Sequence, residues 1–453
     1  MLTYDPVIFS RILTGLTLFV HIVYATIGVG MPLMIALAEW IGIKRSDSYY
    51  LLMARRWARG FTVTVAVGVV TGTCIGLQLS LLWPNFMRVA GQAIALPLFM
   101  ETFAFFVEAI FLGIYLYTWD RFPNRIYHFL LLVPVAIGSS ASAFFITAVN
   151  GFMNAPRGFD LVNGKMTNIE PIVAMFNPAM PTKVGHVLAT AYVTCAFIMA
   201  AISAMSLLRG RTHAYYKKAL RMSMVTALLF SVATAVIGDF SGKYLHEYQP
   251  EKLAAAEWHF ETKSHAELVF GGILTENNEV KYGFHIPFAL SILAGGTPDT
   301  VVMGLNDVPV EERPPLKVSH YFFDSMVFIG MYLTVVSLWY VIWFMRNRRQ
   351  SLKKPHNRLL LRAVVLGAPL SVLAIEFGWM FAEIGRQPWI LWKVMTVAEG
   401  ATTSNHVDTM LWLFTLLYLV ITVTAIRVLI RMFKHNPAED EIKALGWEGG
   451  GKK

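Results

Sequence analysis

The chain has 453 residues, 56% of them hydrophobic and only 15% charged, with a mean hydropathy of +0.53, which is far too apolar for an ordinary soluble domain. Its two cysteines are too few for a disulfide scaffold. The formal charge of +9 is spread over short loops between apolar stretches rather than gathered into one patch, which argues against nucleic acid as the partner.

Nine stretches are long and apolar enough to cross a bilayer: 12–41, 61–83, 95–119, 127–152, 184–208, 222–239, 321–345, 359–382 and 409–430. Each meets or approaches the roughly 20 residues a helix needs to span about 30 Å of hydrocarbon. Helices satisfy their own backbone groups there. The expected fold class is therefore an all-α polytopic membrane protein of about nine transmembrane helices. The segments after spans one, three, five, seven and nine hold 22 Lys and Arg, and the segments on the other side hold 7. By the positive-inside rule the N-terminus lies outside and the C-terminus in the cytoplasm. The chain then divides into spans one to six (1–239), an extracytoplasmic loop (240–320), spans seven to nine (321–432) and a cytoplasmic tail (433–453). Residues 1–11 are too short for a charged leader and no small-residue cleavage site follows span one, so that span is expected to stay. Cys74 and Cys195 fall inside spans and read as packing residues.

Hydrocarbon penalises polar side chains, so those kept in it usually hold a ligand, a proton or a substrate. Of the 12 histidines only His21 and His186 lie well inside spans; His128, His320 and His406 sit at span edges. A lone membrane imidazole can simply bond to the next helix. Two of them, with Met326 on span seven and carboxylates on other spans, point to buried haem. Imidazole and thioether make a low-spin iron pair suited to electron transfer, whereas one imidazole or carboxylate leaves iron a free position for oxygen. The helix count puts His186, Met326 and Glu383 in the same leaflet. Met326 alone says little, since Met occurs 22 times and usually fills core.

Glu101 and Glu108 are seven apart on span three, and Glu376 and Glu383 seven apart near the end of span eight, so each pair shares a helix face. Such a pair either relays protons or bonds neighbouring helices. Glu39, near the cytoplasmic end of span one, reads as a solvated helix end. On spacing alone Lys252 and Glu257 belong to an ordinary exposed helix.

The segments Phe19-Val20-His21, Pro97-Leu98-Phe99-Met100-Glu101, Phe105-Phe106-Val107-Glu108, Val149-Asn150-Gly151-Phe152-Met153 and His186 with Ala191-Tyr192-Val193-Thr194 follow one another along the chain. Gly238-Asp239-Phe240-Ser241-Gly242, Lys252 to Glu257, Glu376-Phe377-Gly378-Trp379 and Glu383-Ile384-Gly385-Arg386-Gln387-Pro388-Trp389 complete the series. In this order, among nine spans, nearly the whole chain resembles the large haem-bearing subunit, subunit I, of the cytochrome bd quinol oxidases.

The resemblance implies that His186 and Met326 are the axial ligands of a low-spin haem b. It implies that His21 and Glu383 ligate the two high-spin haems, one haem b and one a chlorin haem d or a further haem b in its place. Lys252 and Glu257 match positions implicated in quinol oxidation, with Lys252 orienting the quinol oxygen or holding Glu257 ionised. Glu101 and Glu108 match the proton-pathway carboxylates, Arg386 the arginine beside the ligating Glu, and Trp379 a residue packed near the haems. The implied activity is a terminal respiratory oxidase of the bacterial or archaeal cytoplasmic membrane. Quinol would be oxidised at the outer loop and O2 reduced to water with cytoplasmic protons, giving a proton motive force without pumping. The implied partners are a second membrane subunit, subunit II, and a small single-span one. Two departures stand out: Asp324 replaces an arginine found two residues before the Met ligand in some relatives, and the 240–320 loop is short. The rival readings are a secondary transporter, for which no inverted repeat is apparent, and a haem-free structural subunit.

Overall fold

The computed structural model describes residues 4–348, 350, 352 and 354–447; Arg349 and Lys353 of the basic loop after span seven lie outside the described residues, as do 1–3 and 448–453. Among the described residues there are fifteen α-helices, α1 Pro6–Arg45, α2 Ser48–Leu82, α3 Pro84–Tyr117, α4 Arg125–Leu130, α5 Leu132–Asn154, α6 Pro171–Met175, α7 Met180–Leu208, α8 Ala214–Tyr248, α9 Pro250–Ala256, α10 Ala289–Gly295, α11 Leu316–Arg346, α12 Arg358–Ile384, α13 Val397–Gly400, α14 Val407–His435 and α15 Ala438–Ala444. Nine helical stretches among the described residues are long and apolar enough to span a membrane, with α4 and α5 together forming the fourth.

Local chemistry sets the helix ends. Asp5 accepts from the Val7 amide at 2.8 Å, with Pro6 opening α1, and Asp47 accepts from Tyr49 at 3.1 Å to start α2. Between them Ser46 takes a left-handed conformation, φ 49°, which stops α1 and lets α2 double back. Asn357 caps α12 in the same way, accepting from Leu359 at 2.8 Å. At 40 residues α1 is about 60 Å long, so it extends well beyond the hydrocarbon.

The long helices pack as two bundles. In the first, α7 lies against α8 and α12, and α11 closes the set against α12 and α8, so α7 and α11 stand diagonally across from each other. In the second, α1 packs on α2 and α14, and α3 on α5; α1 and α5 also pack on α7, which joins the two. The chain between α8 and α11 covers one end of the bundles, the loop end. It holds α9, α10 and two antiparallel ribbons, in which Leu268–Phe270 pairs with Phe284–Ile286 and Ile273–Leu274 with Val280–Lys281. Most of the basic residues gather at the other end, the basic end.

Two expectations about solvent exposure are overturned. Glu39 is not a solvated helix end but fully buried, because α4 folds back over the end of α1 and brings His128 against it. Lys252 and Glu257 do not lie on an exposed helix: α9 is tucked between α8 and α11, leaving Lys252 2% and Glu257 0% exposed.

Candidate functional site

The polar groups of the loop end converge on the end of α12. Glu383 accepts from Arg386 Nη2 at 2.6 Å through one oxygen and from Asn150 Nδ2 of α5 through the other. Asn150 Oδ1 in turn accepts from Lys183 Nζ of α7 at 2.8 Å. Lys252 joins from α9, donating to the Ala382 carbonyl at 2.8 Å, with its ammonium 5.0 Å from the Phe381 ring centroid. A Cβ at Gly385 would come within 2.9 Å of Lys252 Cε, so only glycine leaves the lysine room to pass. Burial, and then the charges of Lys183 and Arg386, hold the Lys252 ammonium well below its ordinary range. Lys183 is the member that sequence reasoning missed. Its signal was its position three residues before His186, on the same side of α7.

Glu257 sits in different surroundings. Oε2 accepts only a 3.3 Å bond from the Val269 amide, and Oε1 is buried without a partner. Burial first, and the charge of Asp324 second, push its carboxyl well above the usual carboxylate range; the Val269 amide opposes this. Lys252 and Glu257 form no ion pair, and each answers to different neighbours. Five residues on a helix rotate by about 140°, so their side chains leave α9 on different faces. The expectation that Lys252 could hold Glu257 ionised is therefore not met.

His320, also unassigned by the sequence, frames Glu257. Its Nδ1 lies 2.6 Å from the Ala256 carbonyl and its Nε2 3.1 Å from the Gly271 carbonyl and 3.2 Å from Asp324 Oδ2. Its ring stacks on Trp258 at 3.7 Å. Trp258 has a left-handed backbone, φ 45°, unusual for a bulky residue and held here by that stacking and by its indole bond to the Leu316 carbonyl at 3.1 Å.

The candidate iron ligands lie on separate helices. His186 is six residues into α7, and its buried Nδ1 has no hydrogen-bond partner. Met326 is on α11, across the four-helix bundle, facing Gly378 of α12: a Cβ at that glycine would stand 2.9 Å from the sulfur. His21, at mid-helix on α1, is fixed through Nδ1 to Thr71 Oγ1 at 2.9 Å, and Gly72 keeps the ring's edge clear, where a Cβ would lie 3.1 Å from Cε1. Among the described residues no three His, Cys, Asp or Glu side chains gather as a bare-metal site. Single donors on separate helices suit haem, whose macrocycle supplies the remaining ligands. An unpartnered buried imidazole, a thioether over a glycine and a carboxylate beside a buried arginine with Nε and Nη1 unbonded fit that group. Trp379 is half-buried on α12, one residue after Gly378.

Farther toward the basic end, Glu101 accepts from Ser142 Oγ of α5 at 2.9 Å. Glu108 is buried where α3 and α5 come closest: a Cβ at Gly138 would meet the Ala104 carbonyl at 2.8 Å. The two carboxylates share one helix face as their spacing implied.

Residues 9–437 match the family model for cytochrome bd terminal oxidase subunit I. The chain belongs to that family. It is 41% identical over 97% of its length to a Bacillus subtilis protein named as a candidate cytochrome bd menaquinol oxidase subunit I, covering 99% of that protein. It is 30% identical over 96% of its length to the Bacillus subtilis cytochrome bd ubiquinol oxidase subunit 1, covering 95% of it. The structure of bd oxidase from Geobacillus thermodenitrificans superposes with a TM-score of 0.91 at 64% identity, over 96% of this chain and all of that one. The family resemblance and the nine-helix membrane fold are thus borne out, and the transporter and haem-free readings are set aside. The chain is a multi-pass membrane subunit of a bacterial respiratory oxidase, a quinol:oxygen oxidoreductase that works in a multi-subunit, haem-containing complex.

Proposed function

We propose that the loop 240–320 is the quinol-oxidising part of this oxidase and that it faces the outside, with the basic end in the cytoplasm. The observation that supports this best is the burial of Lys252 in α9 and of Glu257 at that helix's C-terminal cap, with Lys252 bonded to the carbonyl beside Glu383. Two charged side chains under a membrane protein's loop carry a large desolvation cost unless they serve a substrate or a neighbouring charge. Glu257 Oε1, which has no protein partner, accepts the quinol hydroxyl proton. Lys252 orients the other quinol oxygen. Admission of quinol requires the Leu268–Phe270 strand to move off the carboxylate.

His186 and Met326 would hold a low-spin haem b, His21 and Glu383 the two high-spin haems, one of them haem d or a haem b in its place. These groups supply the one-electron chemistry between quinol and O2 and, where iron has a single protein ligand, the position for O2. Arg386 and Asn150 keep Glu383 ionised and aimed, and Trp379 would pack near the haems. Glu108 and Glu101 pass protons along one face of α3 toward the oxygen chemistry. Taking those protons from the cytoplasm while Glu257 releases quinol protons outside separates charge without a pump. Subunit II and a small single-span subunit complete the complex. Since the Bacillus subtilis relative at 41% identity bears the menaquinol name, menaquinol is the donor we put forward.

A reduced-minus-oxidised absorption spectrum of the purified complex, taken with quinol kinetics of Lys252→Ala and Glu257→Ala, tests this reading. Both variants should keep every haem band and lose quinol oxidation. Wild-type quinol kinetics in both would remove the loop from the chemistry.

A further inference from the structure

At the basic end a second group of buried titratable side chains lies outside every role given so far. Glu39 of α1 and His128 of α4 are 0% and 1% exposed, with Glu39 Oε1 2.7 Å from His128 Nδ1. Tyr115 of α3 donates its hydroxyl to Glu39 Oε2 at 2.7 Å. The other imidazole nitrogen, Nε2, lies 2.9 Å from the Tyr115 backbone carbonyl.

This pattern fixes where the protons are. A carbonyl only accepts, so Nε2 carries a hydrogen. The phenol donates to Oε2. The contact between Nδ1 and Oε1 then needs one proton, since an ionised carboxylate facing a bare nitrogen lone pair is repulsive. That proton sits on nitrogen in an imidazolium carboxylate or on oxygen in an imidazole carboxylic acid. The trio is a carrier for one mobile proton, buried and held at all its other contacts.

Its position matters as much as its chemistry. Tyr115 follows Glu108 by seven residues, as Glu108 follows Glu101, so the three mark one face of α3 at intervals of about 10.5 Å of helix rise. A purely structural clamp between α1, α3 and α4 could be made from neutral polar groups without burying an acid and a base.

We propose that Glu39 and His128, with Tyr115 holding the carboxylate, are the inlet through which protons from the basic end reach Glu108 and Glu101. The inference rests on the proposed sidedness of the oxidase. A proton taken up by the imidazole moves from Nδ1 to Glu39 Oε1. Glu39 passes it through water along the α3 face to the Glu108 carboxylate, and the imidazole, which keeps its Nε2 hydrogen, turns its bare Nδ1 toward the basic end to take up the next proton. No bond other than those to the proton changes. The charged groups facing the trio are Arg125, whose guanidinium lies 5.5 Å from the Trp119 ring centroid, and Arg55, 5.8 Å from the same ring and paired with Asp120 at 3.1 Å. Trp119 packs edge-on against His128 at 4.8 Å, so these charges sense the pair across an aromatic ring.

Glu39→Gln separates carrier from clamp. The amide nitrogen can donate to Nδ1 and the amide oxygen can accept from Tyr115, so the clamp survives while the mobile proton is lost. In the purified complex this variant should keep all haem bands yet reduce oxygen about tenfold or more slowly at saturating quinol. Formate or azide, small acids able to ferry protons, should restore part of the rate. Wild-type turnover in Glu39→Gln would overturn the inlet, and so would loss of the haem bands, which would make the trio a folding clamp. Proton uptake by the wild-type complex in oriented vesicles tells the two readings apart. Uptake from the loop end would overturn both the sidedness and the inlet. Uptake from the basic end with an unimpaired variant would overturn the inlet alone.

Discussion

Glu383 and Glu257 are two carboxylates at the same end of the molecule, the first half-buried and the second fully buried, and they are built in opposite ways. Glu383 is bonded on both oxygens and has Arg386 in direct contact, with Lys183 one hydrogen bond farther away through Asn150. Glu257 has one long amide bond, an unpartnered oxygen and a nearby acid in Asp324. The first environment keeps a charge in place, which is what the haem-ligand role we propose for Glu383 would require. The second makes the charge costly, so the group readily takes a proton. Local surroundings, not residue type, assign the two roles.

The largest effect that would break this contrast is removal of the compensation. Arg386→Leu leaves the half-buried Glu383 beside no direct cation and removes a hydrogen bond to a charged group, worth about 1.5–3 kcal/mol. Thermal unfolding and haem content of the purified complex should both fall, whereas unchanged values would mean that Asn150 and Lys183 suffice. A comparable loss is expected for the low-spin site: His186→Ala or Met326→Leu should remove the low-spin spectrum and the electron path with it. Normal low-spin bands with turnover in both variants would show that other residues ligate that iron.

Next comes the reactive carboxylate. Glu257→Ala should slow quinol oxidation by about 10²–10⁴-fold, the usual contribution of a general base, while an artificial donor that reduces the haems directly still supports oxygen consumption. If that donor fails too, the defect lies beyond quinol. Glu101→Gln and Glu108→Gln should instead slow oxygen reduction with either donor.

The smallest effect is the pH response of the loop, set by the same contrast. The folded carboxyl of Glu257 lies above its unfolded value, so its contribution to loop stability is complete in acid and is lost as pH rises through the folded pKa. Lys252 runs the other way: its folded pKa lies below the unfolded one, so its contribution is complete in alkali and is lost as pH falls through the folded pKa. The protection of the Val269 amide, measured as its exchange rate against the intrinsic base-catalysed rate at each pH, should therefore fall on the alkaline side in the native chain, and Glu257→Gln should flatten that fall. An equally steep fall in protection in the variant would assign it to another group.

Much of this was legible in the sequence because the bilayer imposes a strong code. Apolar length set the nine helices, and seven-residue spacing put Glu101 and Glu108 on one face. The ordered motifs from Phe19-Val20-His21 to Arg386-Gln387-Pro388-Trp389 carried the family. Burial of loop residues was not legible. Lys252 and Glu257 look like part of a solvated helix because α9 is apolar only through Leu253 and three alanines, and what covers it comes from α8, a ribbon about 30 residues on and α11 about 60 residues on. Glu39 was misread for the same reason, since its cover is a six-residue helix following span three.

By itself the sequence determined the number and order of the spans, the candidate ligands His21, His186, Met326 and Glu383, and the face shared by Glu101 and Glu108. The spans and the shared face follow from local periodicity and from the cost of polar groups in hydrocarbon, whereas the full ligand set is what the family resemblance implies. Only the tertiary structure decided which side chains meet across helices: Lys183 with Asn150 beside Glu383, Lys252 under Ala382, His320 against Trp258, and His128 with Glu39. Those pairings depend on the packing of segments distant in sequence, and no periodicity along one chain encodes which neighbour a buried charge will find.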